Sequence, residues 1–105
     1  MFARQVSIHL KAESVGTFTE TVEKEVLPQL RKQQGFQDMI TLVNGRDAVA
    51  VSFWDRKENA EAYDKASYPQ VLQMLSKTID GTPQVRTFDV ATSTLHKVVA
   101  IGIPA

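Results

Sequence analysis

The chain has 105 residues, enough for one domain with one core, so a single domain over 1–105 is expected. Lys and Arg total 12 against 12 for Asp and Glu, which leaves no net charge and argues against a nucleic-acid footprint. There is no cysteine, which excludes disulfides, iron–sulfur clusters, thiolate zinc and cysteine nucleophiles.

Phe2, Arg4, Val6, Ile8 and Leu10 alternate with Ala3, Gln5, Ser7 and His9, the period-two pattern of a half-buried strand. This opening carries Arg4 and His9 and lacks the apolar run of a signal peptide, and no stretch approaches the ~18 apolar residues of a membrane span. A cytoplasmic protein with no membrane partner is therefore expected. After Ser14, the apolar positions Val15, Phe18, Val22, Val26, Leu27 and Leu30 make one helical stripe. Pro28 deletes a backbone hydrogen bond inside it and predicts a kink or a tightened last turn. Gly35 is read as the left-handed cap.

Two β-rich runs, Asp38 to Val43 and Asp47 to Trp54, flank Asn44-Gly45, a strong hairpin signal. With those two as the turn, Ile40 faces Val49 and Thr41 faces Ala48. Asp55 is expected to cap a second helix whose inner stripe runs through Ala60, Tyr63, Ser67, Val71, Met74 and Leu75, with Pro69 kinking it or starting a new turn. Asp80-Gly81-Thr82-Pro83 is a turn, and Val85 to Leu95 reads as a last strand. The uncharged tail, Val98 to Ala105, would be costly in water and is expected to dock on a surface.

The order strand, helix, hairpin, helix, strand is an α+β, ferredoxin-like split β-α-β arrangement (βαββαβ). It implies an antiparallel sheet with strand order 4-1-3-2. Helices cover one sheet face. On the third strand, however, Val49, Val51 and Phe53 form one apolar face, while Ala48, Ala50, Ser52 and Trp54 form the other. Two apolar faces and one helical cover call for a second sheet, hence a homodimer. The alternative is a monomer whose C-terminal tail folds over the open face.

Val26-Leu27-Pro28-Gln29-Leu30 with Gln34-Gly35-Phe36, and Ser52-Phe53-Trp54-Asp55 followed by Glu58-Asn59-Ala60-Glu61-Ala62-Tyr63, resemble the antibiotic biosynthesis monooxygenase superfamily of dimeric α+β barrels. The resemblance implies a pocket between sheet and helices, with Trp54, Tyr63, Ser52, Ala50, Ile8 and Leu72 as substrate-binding residues. It leaves the catalytic residues unknown. A plain core role for Trp54, with its indole N–H on a carbonyl, is the other reading. Two family features are missing. The polyketide oxygenases place an Asn four residues before the Trp, where this chain has Ala50. The haem-degrading branch places a Trp and a His ten residues apart on the second helix, where this chain has Tyr63 and Gln73.

His9 and His96 fall in no metal-ligand spacing, and no phosphate loop, nucleophile elbow or dinucleotide fingerprint occurs. Tyr63 and Tyr68, five apart on one helix, should diverge by ~140°, so at most one of them faces a pocket, and the stripe favours Tyr63. Two functions stand. One is a monooxygenase or related oxidoreductase that uses no metal or other cofactor and acts on a small aromatic or quinol-like substrate. The other is a non-catalytic dimer that binds a small apolar or aromatic ligand.

Overall fold

A computed structural model describes residues 1–98. The expected docking of the tail beyond Val98 lies outside them. The elements are β1 (Phe2–His9), α1 (Val15–Thr21), a π-helical turn (Val22–Val26), α2 (Leu27–Arg31), β2 (Phe36–Asn44), β3 (Asp47–Trp54), α3 (Lys57–Ala66), α4 (Tyr68–Leu75) and β4 (Gln84–Asp89). The four strands form one sheet in the order β2-β3-β1-β4, the expected 4-1-3-2 read from the other edge. All pairings are antiparallel.

The first helical segment keeps its stripe but not its expected geometry. Phe18, Val22, Val26 and Leu30 are all buried, each four residues from the last. A four-residue step overshoots a 3.6-residue turn by ~40°, so three steps would carry the stripe off the sheet. The wide π turn takes up this drift, and its register sends the Leu27 N–H to the Val22 carbonyl, five residues back. The chain therefore widens ahead of Pro28, where a kink or a tightened turn was expected.

The hairpin is also displaced. Asn44 pairs with Asp47, so the central turn residues are Gly45 and Arg46, and Ile40 faces Val51 while Thr41 faces Ala50. Gly45 has φ +60 and Arg46 is not in the left-handed region, the signs of a type II′ turn with its glycine in first place. The shift is even, so the face assignments survive it. Ala48, Ala50, Ser52 and Trp54 are buried toward the helices, and Val49, Val51 and Phe53 lie half-buried on the open face.

Helical structure breaks between Ala66 and Tyr68. Ser67 leaves the helical region at φ −120, and Pro69 falls in the first turn of α4, where its missing N–H does least harm. Arg56, not Asp55, is the residue before α3. Asp55 instead accepts a 2.7 Å hydrogen bond from the Asn59 side chain and gives its N–H to the Gly35 carbonyl at 2.9 Å. Gly35 sits in the turn after α2 at φ +81, and a Cβ there would stand 2.2 Å from the Asp55 carboxylate. Gly35→Ala is therefore expected to destabilise the fold by about 1–3 kcal/mol, combining the left-handed backbone with the clash. Urea denaturation checks it, and an unchanged midpoint would refute the packing argument.

The last strand stops at Asp89, short of the expected Leu95. The chain that follows crosses one end of the open face. The Val90 N–H bonds to the Met1 carbonyl, Val90 and Leu95 border a hollow over Phe53, and His96 pairs with Asp38 at the far edge.

Candidate ligand site

On the helix side, the sheet and the helices do not close completely. A cavity of about 40 Å³ remains. Its floor is Val6 and Ile8 of β1, Ala50 and Ser52 of β3 and Met39 of β2. Phe18, Val22, Val26 and Leu30 wall one side, and Tyr63, Tyr68, Val71 and Leu72 the other. The cause is in the sequence: of the four β3 residues that face the helices, the two that border the cavity are the small Ala50 and Ser52, and neither side chain reaches far enough to fill the gap.

Five of the six residues named from the resemblance meet here: Ile8, Ala50, Ser52, Tyr63 and Leu72. Trp54 does not line the cavity. It is fully buried, lies edge-on to Phe36 at 5.6 Å and against Tyr63 at 5.1 Å, and donates its indole N–H to the Ser52 hydroxyl at 2.9 Å. Tyr68 lines the cavity together with Tyr63, their rings 6.2 Å apart. The ~140° divergence assumed one unbroken helix, and the break at Ser67 removes that condition.

Arg4 was not singled out by sequence reasoning. It is 3% exposed, on the same face of β1 as Phe2, Val6 and Ile8. Its Nη2 donates to Asp64 on α3 at 2.7 Å, and its guanidinium carbon lies 3.9 Å from the Tyr68 ring centre and 5.4 Å from that of Tyr63. The available signal was a charge in strict alternation with apolar residues on the buried side of a strand. Such a charge is rare unless something pairs with it.

Beyond Arg4 the helix side opens into a groove of about 230 Å³ between α3 and β4, with Lys57, Glu61 and Asp64 on its helix wall and Val85 and Thr87 on its strand wall. It exists because α3 covers β1 and β3 but leaves β4 bare, every residue of which is exposed.

Burial pushes the Tyr63 phenol up to about 12, against a smaller opposing pull from the Arg4 charge. Burial raises Tyr68 as well, with Arg4 again opposing. Both hydroxyls therefore stay protonated at neutral pH and are available to donate a hydrogen bond. Among the described residues, those lining the cavity include no carboxylate and no imidazole. The histidines lie elsewhere: His9 contacts Asp47 at 3.0 Å at an exposed end of the sheet, and His96 pairs with Asp38 on the open face. Among the described residues no group of three or more His, Asp or Glu could hold a metal ion. No helix among them is long and apolar enough to cross a membrane.

No protein-family profile matches the chain, and no curated protein matches it in sequence. Solved structures do match. A protein of unknown function from Nitrosomonas europaea superposes with TM-score 0.76 at 12% identity, over 92% of this chain and 95% of that one. A Bordetella bronchiseptica protein with the provisional description antibiotic biosynthesis monooxygenase gives 0.73 at 13% identity, over 87% and 98%. A Streptomyces coelicolor monooxygenase in complex with the ligand nanaomycin D gives 0.74 at 16% identity, over 91% and 92%. Identities this low speak for the backbone path alone. The chain has the ferredoxin-like α+β fold of the proteins described as antibiotic biosynthesis monooxygenases.

Proposed function

We propose that the protein is a cofactor-free oxidoreductase of the monooxygenase type, a cytoplasmic homodimer acting on a small aromatic or quinol-like substrate. Its site is the helix side of the sheet, where the cavity and the groove meet. The observation that carries this reading is an apolar cavity faced by two protonated tyrosines, Tyr63 and Tyr68. The likeness in fold to a monooxygenase that holds a ligand supports it.

The chemistry asks little of a protein. A hydroquinone can pass two electrons and two protons to dioxygen, giving quinone and hydrogen peroxide. An activated methylene can take one oxygen atom to become a carbonyl while the other leaves as water. In both cases the substrate supplies the electrons, and the protein excludes water, orients the ring and donates hydrogen bonds. A cavity that holds benzene measures about 150 Å³, so a space of about 40 Å³ must widen to take a ring. Tyr68 and Leu72, half-buried on α4, are the side chains that would retract.

The absence of a base among the described lining residues favours a second reading, a binder without turnover. An oxygen electrode and a hydroquinone panel separate the two. Catalysis predicts oxygen uptake, with a fall of ~10²-fold or more in Tyr63→Phe at an unchanged elution volume if Tyr63 is the proton donor. Thermal stabilisation by the same compounds without oxygen uptake would leave only binding.

A further inference from the structure

We infer that the two histidine–aspartate pairs of this chain, His9–Asp47 and His96–Asp38, form the charged ends of the surface on which two copies pair, and that they make the pairing proton-linked, tighter in mild acid than in mild base. This rests on the proposed homodimer and adds to it a condition for assembly.

The chain has two histidines, and each contacts an aspartate on the side of the sheet that the helices leave uncovered. His9 and Asp47 face each other across β1 and β3 at the hairpin end, with Nδ1 of the imidazole 3.0 Å from the carboxylate. Asp38 stands opposite Phe53 toward the other end of β3, where the chain after β4 brings His96 onto it. From Asp47 to Phe53 the strand advances six residues, about 20 Å at the usual rise. Between the pairs lie Ile40, Leu42, Val49 and Val51, the apolar patch that a second copy would cover. The pairs thus bracket the patch, and none of their four side chains borders the cavity or the groove on the helix side.

The sign of the effect follows from charge. Histidine side chains take up a proton between about pH 8 and 5, a range in which aspartates stay ionised. With the imidazole protonated, each pair carries no net charge; with it neutral, a bare carboxylate stands at the end of the patch. The side chains of His96 and Asp38 are 36% and 39% exposed, those of His9 and Asp47 52% and 78%. A second copy over the patch strips further water from them, and a carboxylate without a partner loses more by that than a pair of opposite charges. The associated state therefore holds more protons, and falling pH favours it. Beside His9 stand the uncharged Ser7, Thr82 and Gln84, while the loop charges at that end, Arg46 and Asp80, pair with each other at 3.6 Å. Near His96, the hollow over Phe53 is lined by uncharged residues alone, and Lys97, next in the chain, is exposed. Bulk charge pulls the other way. Lys and Arg balance Asp and Glu, so protonating both histidines makes each copy positive, and general repulsion would loosen the dimer in acid.

The test is sedimentation of the full chain from about pH 5.5 to about pH 8, with thermal unfolding at each pH as the control for folding. The wild-type dissociation constant is expected to be ~10-fold or more lower at the acid end. His96→Gln is expected to remove most of that dependence and His9→Gln the smaller part, because the less exposed pair loses more of its remaining water. Asp38→Asn combined with Asp47→Asn is expected to reverse the dependence, since the imidazolium is then the charge without a partner. None of the four side chains belongs to the buried core, so the variants retain the fold. A wild-type dissociation constant that is flat or rises toward acid, or a dependence kept in the double variant His9→Gln with His96→Gln, overturns this inference and leaves the dimer standing. A wild-type monomer across the whole range overturns the dimer, and this inference with it.

Discussion

Trp54→Ala is expected to lower stability by about 3–5 kcal/mol, the largest effect of any single substitution in the core. The indole is wholly buried between Phe36 and Tyr63, so truncation removes two aromatic contacts and leaves a void beside the existing cavity. For a domain of this size each kcal/mol moves the melting temperature by roughly 4–8 °C, so a fall of about 12–40 °C should appear by calorimetry. Trp54→Phe separates volume from polarity. It keeps much of the ring contact and removes the N–H bonded to Ser52 at 2.9 Å, and it should cost less. Ser52→Ala tests the same bond from the acceptor side and should cost about 1–3 kcal/mol, because the indole N–H is then buried without a partner. A Trp54→Ala protein that melts within a few degrees of the wild type would refute this account.

The placement of Trp54 shows what the sequence could and could not disclose. Period-two alternation put it on the helix face of β3, and it is there. Whether that face leaves a hollow beside it depends on the small difference between the space under the helices and the side chains that fill it, which no local pattern encodes. Tyr68 was lost for a different reason. Counting 100° per residue is sound along an unbroken helix, and only the break at Ser67 brings Tyr68 alongside Tyr63. The hairpin slipped because Asn-Gly fits two turns. A glycine in the first central position, with the asparagine ending β2, satisfies the φ requirement as well as a central Asn-Gly pair does. The π turn was legible in principle, since four apolar positions spaced by four cannot stay on one face of an ideal helix. Arg4 was in plain view as a charge inside an apolar alternation. Its partner Asp64 lies sixty residues away and meets it only through packing.

Val51→Asp is expected to convert the proposed dimer to a monomer with little loss of monomer stability. The four strands carry helices on one side only, and the uncovered side is apolar over β2 and β3. Ile40 is 40% and Leu42 57% exposed there, beside half-buried Val49 and Val51. The chain after β4 shields the Phe53 end, held by His96 on Asp38, and leaves the rest of the patch open. Toward β1 and β4 the same face turns polar at Gln5, Ser7 and Gln84, and Arg86 lies over Phe88 at 5.1 Å. A contiguous apolar patch with a polar border is the pattern of an interface that excludes water at its centre. In a two-fold pairing any substitution enters twice, and each buried carboxylate without a partner costs several kcal/mol. The dissociation constant should then rise by ~10³-fold or more, at 1.4 kcal/mol per tenfold. Multi-angle light scattering at micromolar concentration should give twice the chain mass for the wild type and the single mass for Val51→Asp, with thermal unfolding of the variant as the control for folding. A wild-type protein that stays monomeric under those conditions would mean that the open face is covered from within the chain.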